Sequence, residues 1–293
     1  MIYTKKWRDP EIDPTEIDFP CGMKVKEILG YPHAANDVFC CFVDYQGKSH
    51  KVILKVERHK EANLENEWEI ISFLNGKGLK LPEILTHGRL GEKAYIASKY
   101  EEGQRLSQIL SKYKKQEEIV KESLNYMSIF GENLGKIHAL DVDWKQVDER
   151  RFHRPLCKER SVKMGQEHVS NWLEKNRPIS VEKCFIHGDH HYANILWDKN
   201  KIPTTLDWEL CGIGWKEFDI AWALISRPSQ NFLKSQCERD AFLNGYNLHS
   251  SYDKFQSIYC MVMIYQYFYI IGKNTKDFKY LEYVSSELDL LTR

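Results

Sequence analysis

Two carboxylates and a carboxamide within twenty or so residues mark the stretch of this chain best suited to chemistry. Asp189 and Asn194 stand in His187-Gly-Asp-His-His-Tyr-Ala-Asn194, and Asp207 stands in Leu206-Asp-Trp-Glu209. The apolar pair Phe185-Ile186 leads His187 and Asp189 into a loop, Ile195–Trp197 reads as a second strand, and a third ends at Asp207 after a Lys/Asn turn. The pattern predicts one hairpin carrying all three groups. Such a set suits phosphoryl transfer: one carboxylate takes the proton of an attacking hydroxyl, while an amide oxygen and a second carboxylate hold magnesium against nucleotide phosphates. A second chemistry draws on the same residues. His187, His190 and His191 beside Asp189 are candidates for a zinc cluster and metal-dependent phosphoester hydrolysis, although neither Cys-x-x-Cys nor His-Glu-x-x-His accompanies them.

The order His-x-Asp-x-x-x-x-Asn, followed by an Asp that closes the next strand, is that of the catalytic and metal loops of protein kinases. Gly188 replaces the arginine usual there, and Asp207-Trp208-Glu209 replaces Asp-Phe-Gly. With these words the segment resembles the aminoglycoside phosphotransferase and choline kinase family, small-molecule kinases of protein-kinase-like fold. The resemblance implies Asp189 as the catalytic base, Asn194 and Asp207 as Mg²⁺ ligands, and His187 and His191 as supports. Glu209 lies near enough to Asp207 in sequence to meet substrate or metal. Gly212-Ile-Gly-Trp-Lys-Glu-Phe-Asp219-Ile-Ala221 is similar to another family element, whose aspartate anchors the catalytic loop. Asp219 is therefore a support.

The elements that must position these groups follow from the rest of the chain. At 293 residues it is long enough for two units with large cores. The resemblance implies an α+β architecture: a nucleotide-binding part over residues 1–98, containing a five-stranded antiparallel sheet and a helix, a connector at 99–103, and a mainly helical part over 104–293. Lys51-Val-Ile-Leu-Lys-Val56 alternates as a strand and leaves Lys55 among apolar neighbours, where an ammonium needs a partner. The helix expected over 62–74 offers Glu65, Glu67 and Glu69; the resemblance selects Glu67, with Lys55 on the nucleotide phosphates. Val38–Val43, Leu81–Leu85 and Ala94–Ser98 also read as strands, and 23–29 as a strand or a short helix. Gly30 opens the turn expected over the phosphates, while Ser98 precedes the connector and Tyr100 lies in it, so all three are nucleotide-side candidates. Which purine binds, ATP or GTP, leaves no trace in a backbone-read connector.

From Leu106 the period becomes helical, with helices over 106–110, 116–140 and 169–175, and helices to the C-terminus. His138 is core. The basic run containing Arg150, Arg151, Arg154, Lys158 and Arg160 is a solvated face or part of a lid. A cationic acceptor would want carboxylates, for which Glu209, Glu217, Asp240 and Asp253 are candidates; a quaternary ammonium would prefer the tyrosine-rich C-terminal helices.

Composition narrows the classes. Lys+Arg and Asp+Glu balance at 42 each, which gives no field for nucleic acid or a membrane surface. The longest apolar-rich run, 258–271, falls short of the ~20 residues a bilayer requires. Eight scattered cysteines and a polar, aromatic start predict reduced thiols in the cytoplasm. The expected protein is a monomer or weak homodimer acting on a small-molecule acceptor. A nucleotide-binding protein without turnover is the competing class; it would lack a catalytic group, yet Lys55, Asp189, Asn194 and Asp207 are all present.

Overall fold

Period-two alternation builds the first of two compact units, drawn from residues up to Gly103 together with Leu196–Leu210. The computed structural model describes residues 6, 8–32, 34–58, 63–142, 158–227 and 230–293. Ala62, Arg150, Arg151 and Arg154 lie outside these. In the first unit β1 (Lys24–Gly30), β2 (Asp37–Tyr45), β3 (Lys48–Val56), α1 (Leu64–Leu74), β4 (Ile84–Leu90) and β5 (Lys93–Lys99) follow in order. The five strands form one sheet in the order β1-β2-β3-β5-β4, each neighbouring pair antiparallel. In β3, Val52, Leu54 and Val56 enter a core with Phe19, Met23, Phe39 and Tyr95. Residue 55 therefore falls on the opposite face, where Leu64 of α1 packs on Ala94 and Ile96 of β5.

The expected strand at 81–85 starts later, at Ile84. Pro82 has no N–H for a ladder, and Lys80 pairs elsewhere, in a parallel bridge with Thr204.

The second unit comprises Gln104–Ile195 and Cys211–Arg293. Its helices include α2 (Leu106–Leu110), α3 (Gln116–His138), α4 (Lys158–Lys163) and α5 (Glu167–Lys175). β6 (Lys183–Ile186), β9 (Gly212–Trp215), α6 (Lys216–Leu224), α7 (Gln236–Tyr246), α8 (Lys254–Thr275) and α9 (Phe278–Leu291) also belong to it, while β7 (Ile195–Trp197), from its second residue, and β8 (Pro203–Thr205) fall in the 196–210 stretch of the first unit. The single hairpin expected from the apolar runs is replaced by two small sheets: β7 pairs with β8, and β6 pairs antiparallel with β9. The reason is the chain's return after Leu210: Gly212-Ile-Gly-Trp215 offers a backbone edge to β6 that local patterning did not reveal. Residues 196–210 group with the first unit, through the Thr205 N–H donating to the Lys80 carbonyl at 3.1 Å and Lys80 pairing with Asp198 at 3.3 Å.

Cys21, Cys40, Cys41, Cys184, Cys211, Cys237 and Cys260 are free thiols. No helix among the described residues is long and apolar enough to cross a membrane.

Candidate active site

In the first unit α1 turns Leu64, Glu67, Ile70, Ile71 and Leu74 inward, so Glu67 is the acidic member of an apolar stripe. Helical phase thus distinguishes it from Glu65, which pairs with Arg89 at the surface. Lys55 Nζ donates to both Glu67 carboxylate oxygens, at 2.8 and 2.9 Å, and to Asp207 Oδ1 at 2.8 Å. Burial alone would discharge this ammonium, but Asp207 and Glu67 outweigh it and hold the pKa well above the ordinary lysine value. Asp207 adopts φ +64°, a left-handed conformation that non-glycine residues rarely take. Its neighbour Trp208 is fully buried, donating its indole N–H to the Thr205 carbonyl at 3.1 Å and its backbone N–H to Glu67 Oε1 at 3.4 Å.

Glu209 completes this half. Its Oε2 accepts from Asn36 Nδ2 at 2.7 Å, and burial followed by the charge of Asp207 pushes its pKa up to about 7. One oxygen from each of Glu67, Asp207 and Glu209 lies within 4.8 Å of the others, the one such group of potential metal ligands among the described residues. One ammonium among three carboxylates leaves negative charge for a divalent cation to neutralise, and oxygen ligands of this kind suit Mg²⁺. Asn36 Oδ1, buried and without a hydrogen bond, supplies a further oxygen beside Glu209.

In the second unit β6 hands the chain to the loop at residues 187–194, and the β6–β9 pairing brings the first turn of α6 beneath it. Asp219 there accepts from the backbone N–H groups of His187, at 2.8 Å, and Gly188, at 3.0 Å. Gly188 sits at φ +79°, a conformation that a side chain would strain. His138, buried at the end of α3, places Nε2 3.3 Å from Asp219 Oδ2 and Nδ1 2.9 Å from the Tyr246 hydroxyl.

Asp189 emerges from this support half-buried. Its Oδ2 accepts from Asn194 Nδ2 at 2.9 Å and its Oδ1 from the indole N–H of Trp222 at 2.7 Å. Burial raises its pKa, but the charges of His191, Arg227 and His187 prevail and bring it down to about 2. It is a carboxylate at any working pH. Asn194 Nδ2 also donates to the Asp189 carbonyl at 3.0 Å, so the amide oxygen is the atom left to a cation. His191 accepts from the Ala193 N–H through Nδ1 at 3.3 Å and holds Nε2 3.5 Å from Asp189 Oδ1.

The zinc expectation needs correction. The zinc cluster does not form among the described residues. His190 is fully buried, paired through Nε2 with Asn133 at 3.0 Å and stacked on Phe130, and burial holds its pKa well below the imidazole range. His187 Nδ1 is taken by the Asp189 N–H at 3.2 Å. Glu217 is 1 % exposed, its Oε1 accepts from the Asp253 N–H where α8 begins and its Oε2 is buried without a hydrogen bond, so it lies inside the fold and not on an open surface. Gly30 ends β1 opposite Cys40. Ser98 lies opposite Ile53, and the Tyr100 ring carries the Lys51 ammonium 3.6 Å from its centroid.

Trp222, Arg227 and Asn36 escaped the sequence. A signal existed for Trp222, three residues beyond Asp219 and so on the same helix face. Arg227 donates from Nη2 to the Trp222 carbonyl at 3.1 Å, and its guanidinium carbon lies 5.0 Å from the Trp222 ring. It stacks on the residue that holds Asp189.

Known proteins resemble this chain in sequence and in fold. The sequence profile described as the phosphotransferase enzyme family matches residues 41–254. An aminoglycoside 3'-phosphotransferase of Niallia circulans is 23 % identical over 177 residues, a match spanning 56 % of this chain and 64 % of that protein. Among solved structures, a spectinomycin phosphotransferase in complex with ADP and spectinomycin superposes with a TM-score of 0.63 at 15 % identity, covering 92 % of this chain and 94 % of that one. An aminoglycoside phosphotransferase in ternary complex with ADP and hygromycin B gives 0.61 at 16 % identity, covering 92 % and 94 %. At such identities the likeness establishes the two-unit, kinase-like α+β fold.

Proposed function

The chain belongs to the phosphotransferase enzyme family, and from that membership we propose that it moves the γ-phosphoryl group of ATP onto a hydroxyl of a small molecule. The observation that carries the proposal is Lys55, an ammonium held ready by Glu67 and Asp207 for the phosphates of a nucleotide. Nucleotides in the related structures, ADP among them, favour ATP over GTP as the donor. Asp189 orients the acceptor hydroxyl and takes its proton. Asp207 and Asn194 would each offer an oxygen donor to magnesium, whose charge would neutralise that on the phosphoryl oxygens. His187, His191 and Asp219 hold the loop that carries Asp189, and Trp222 fixes the carboxylate. Catalysis comes from alignment and charge placement, since phosphoryl transfer asks for little covalent chemistry.

The test is acceptor-dependent ADP release, with ATP and with GTP in parallel, across aminoglycosides, choline-like alcohols, macrolides, sugars and hydroxy acids. Release should vanish with EDTA and return with Mg²⁺. Release that survives EDTA, or tightly bound stoichiometric zinc in the purified protein, would return the hydrolase chemistry to consideration.

Lys55→Met offers a check confined to the first unit. It removes one charge-assisted contact to the phosphates, so the nucleotide KM should rise by about thirtyfold while acceptor KM changes little. An unchanged nucleotide KM would take Lys55 away from the phosphates.

A further inference from the structure

The four carboxylates named as candidates for a cationic acceptor make their contacts, among the described residues, with groups other than Asp189. Glu217 is buried against the start of α8, and Glu209 is bonded to Asn36 in the first unit. Asp240 accepts from Gln236 on the exposed side of α7, and Asp253 caps α8 by accepting from the Gln256 N–H. Each of the four candidates accepts a hydrogen bond from the protein.

The second unit presents something different beside Asp189. His191, Tyr192, Trp222 and Arg227 are, like Asp189, half-buried. The guanidinium of Arg227 lies over Trp222 at 5.0 Å and Tyr192 at 6.0 Å. Its hydrogen bonds go to the backbone carbonyls of Trp222 and Ile225, and no carboxylate among the described residues forms an ion pair with it. The negative charge acting on it most strongly is Asp189 itself. The Tyr192 phenol lies in the field of a second guanidinium, that of Arg105. An acceptor entering here meets aromatic faces and a guanidinium whose hydrogen bonds go to backbone carbonyls alone.

The geometry points to an acceptor that carries an anionic group, a carboxylate or a phosphate ester, near its reactive hydroxyl, with Arg227 as the residue that recognises it; this rests on the phosphotransferase function proposed above. A guanidinium matches either anion through paired N–H donors. The same charge disfavours a polycation, because an ammonium brought beside Arg227 meets like charge in a partly desolvated site. The acceptor thereby differs in class from the spectinomycin and hygromycin B held by the related structures.

Matched acceptors test the inference: glycerate, gluconate and sugar phosphates, against the corresponding uncharged polyols and sugars, against spectinomycin and hygromycin B. ADP release should be confined to anionic members. In Arg227→Gln the KM for the anionic acceptor should rise by about thirtyfold, the loss of one charge-assisted pair, with the nucleotide KM unchanged and Arg227→Lys recovering part of it. Preference for an uncharged or polycationic acceptor, or a change of less than about threefold in Arg227→Gln, overturns it. Calorimetric binding of the same compounds to protein loaded with AMP-PNP and Mg²⁺ separates the two failures. If nothing turns over yet anionic compounds bind more tightly than their uncharged partners, and Arg227→Gln abolishes the difference, the recognition stands and the phosphotransfer falls. Equal binding, or none, removes the anion site itself.

Discussion

Asp189→Asn should lower kcat for acceptor-dependent ADP release by about 10³-fold, the range over which a positioned general base contributes to proton transfer, while nucleotide affinity stays close to that of the native protein. The substitution keeps the size of the side chain but removes the proton acceptor. It also creates a specific local conflict. Both Asp189 oxygens accept from N–H donors, Oδ2 from Asn194 and Oδ1 from Trp222. An asparagine must turn its own NH₂ toward one of them, leaving two donors face to face at a cost of about 1–3 kcal/mol. Unfolding midpoints measured beside the kinetics separate this structural cost from the chemical one. Trp222→Phe supplies the intermediate case: the base remains and one of its two holders is gone, so a loss of about tenfold in kcat is expected. If Asp189→Asn keeps more than about a tenth of the activity, Asp189 is not the base.

The second large effect concerns stability. Helices α3 and α7 meet backbone to backbone: a Cβ added at Gly245 would lie 1.8 Å from the Ser128 carbonyl oxygen, and one at Gly131 would lie 1.8 Å from that of Phe242. No rotamer relieves such a clash, because both partners are main chain. Gly245→Ala should therefore destabilise the protein by about 3 kcal/mol or more, read as a fall in the urea or thermal midpoint. Gly272→Ala in α8 is the matched control, since its nearest neighbour is the flexible end of Leu281 at 3.1 Å. That change should stay within about 1 kcal/mol, because the gain in helix propensity offsets a small adjustment. Equal midpoints for the two variants would mean that the helices do not approach this closely. The contact reaches the candidate site as well, for α3 carries Asn133 and His138, the partners of His190 and Asp219.

Much of this was legible in the sequence because it is local. Alternation in Lys51–Val56 specified a strand and isolated Lys55 on one face of it; helical period specified α3 within two residues at its end; and the order of Asp189, Asn194 and Asp207 carried the family resemblance. A strand or helix is set by residues two to four apart, so its pattern survives in one dimension. Glu67 was picked out by the resemblance, and the phase of α1 in the structure, which turns it inward beside Ile70 and Ile71, agrees with that choice.

What only the tertiary structure decided depends on where the chain returns. The β6–β9 pairing joins residues separated by the whole of the site loop, and it is this pairing that brings Asp219 under His187 and Gly188. Trp222 reaches Asp189 across 33 positions, and Asn36 reaches Glu209 across 173. Glu217 read as an available carboxylate until burial removed it, and His190 as a ligand until Phe130 and Asn133 enclosed it. Hydrogen-bond partners and burial are properties of two surfaces brought together. No period in the sequence encodes the second surface, so the groups capable of chemistry were visible there, while their partners, exposure and charge environment were not.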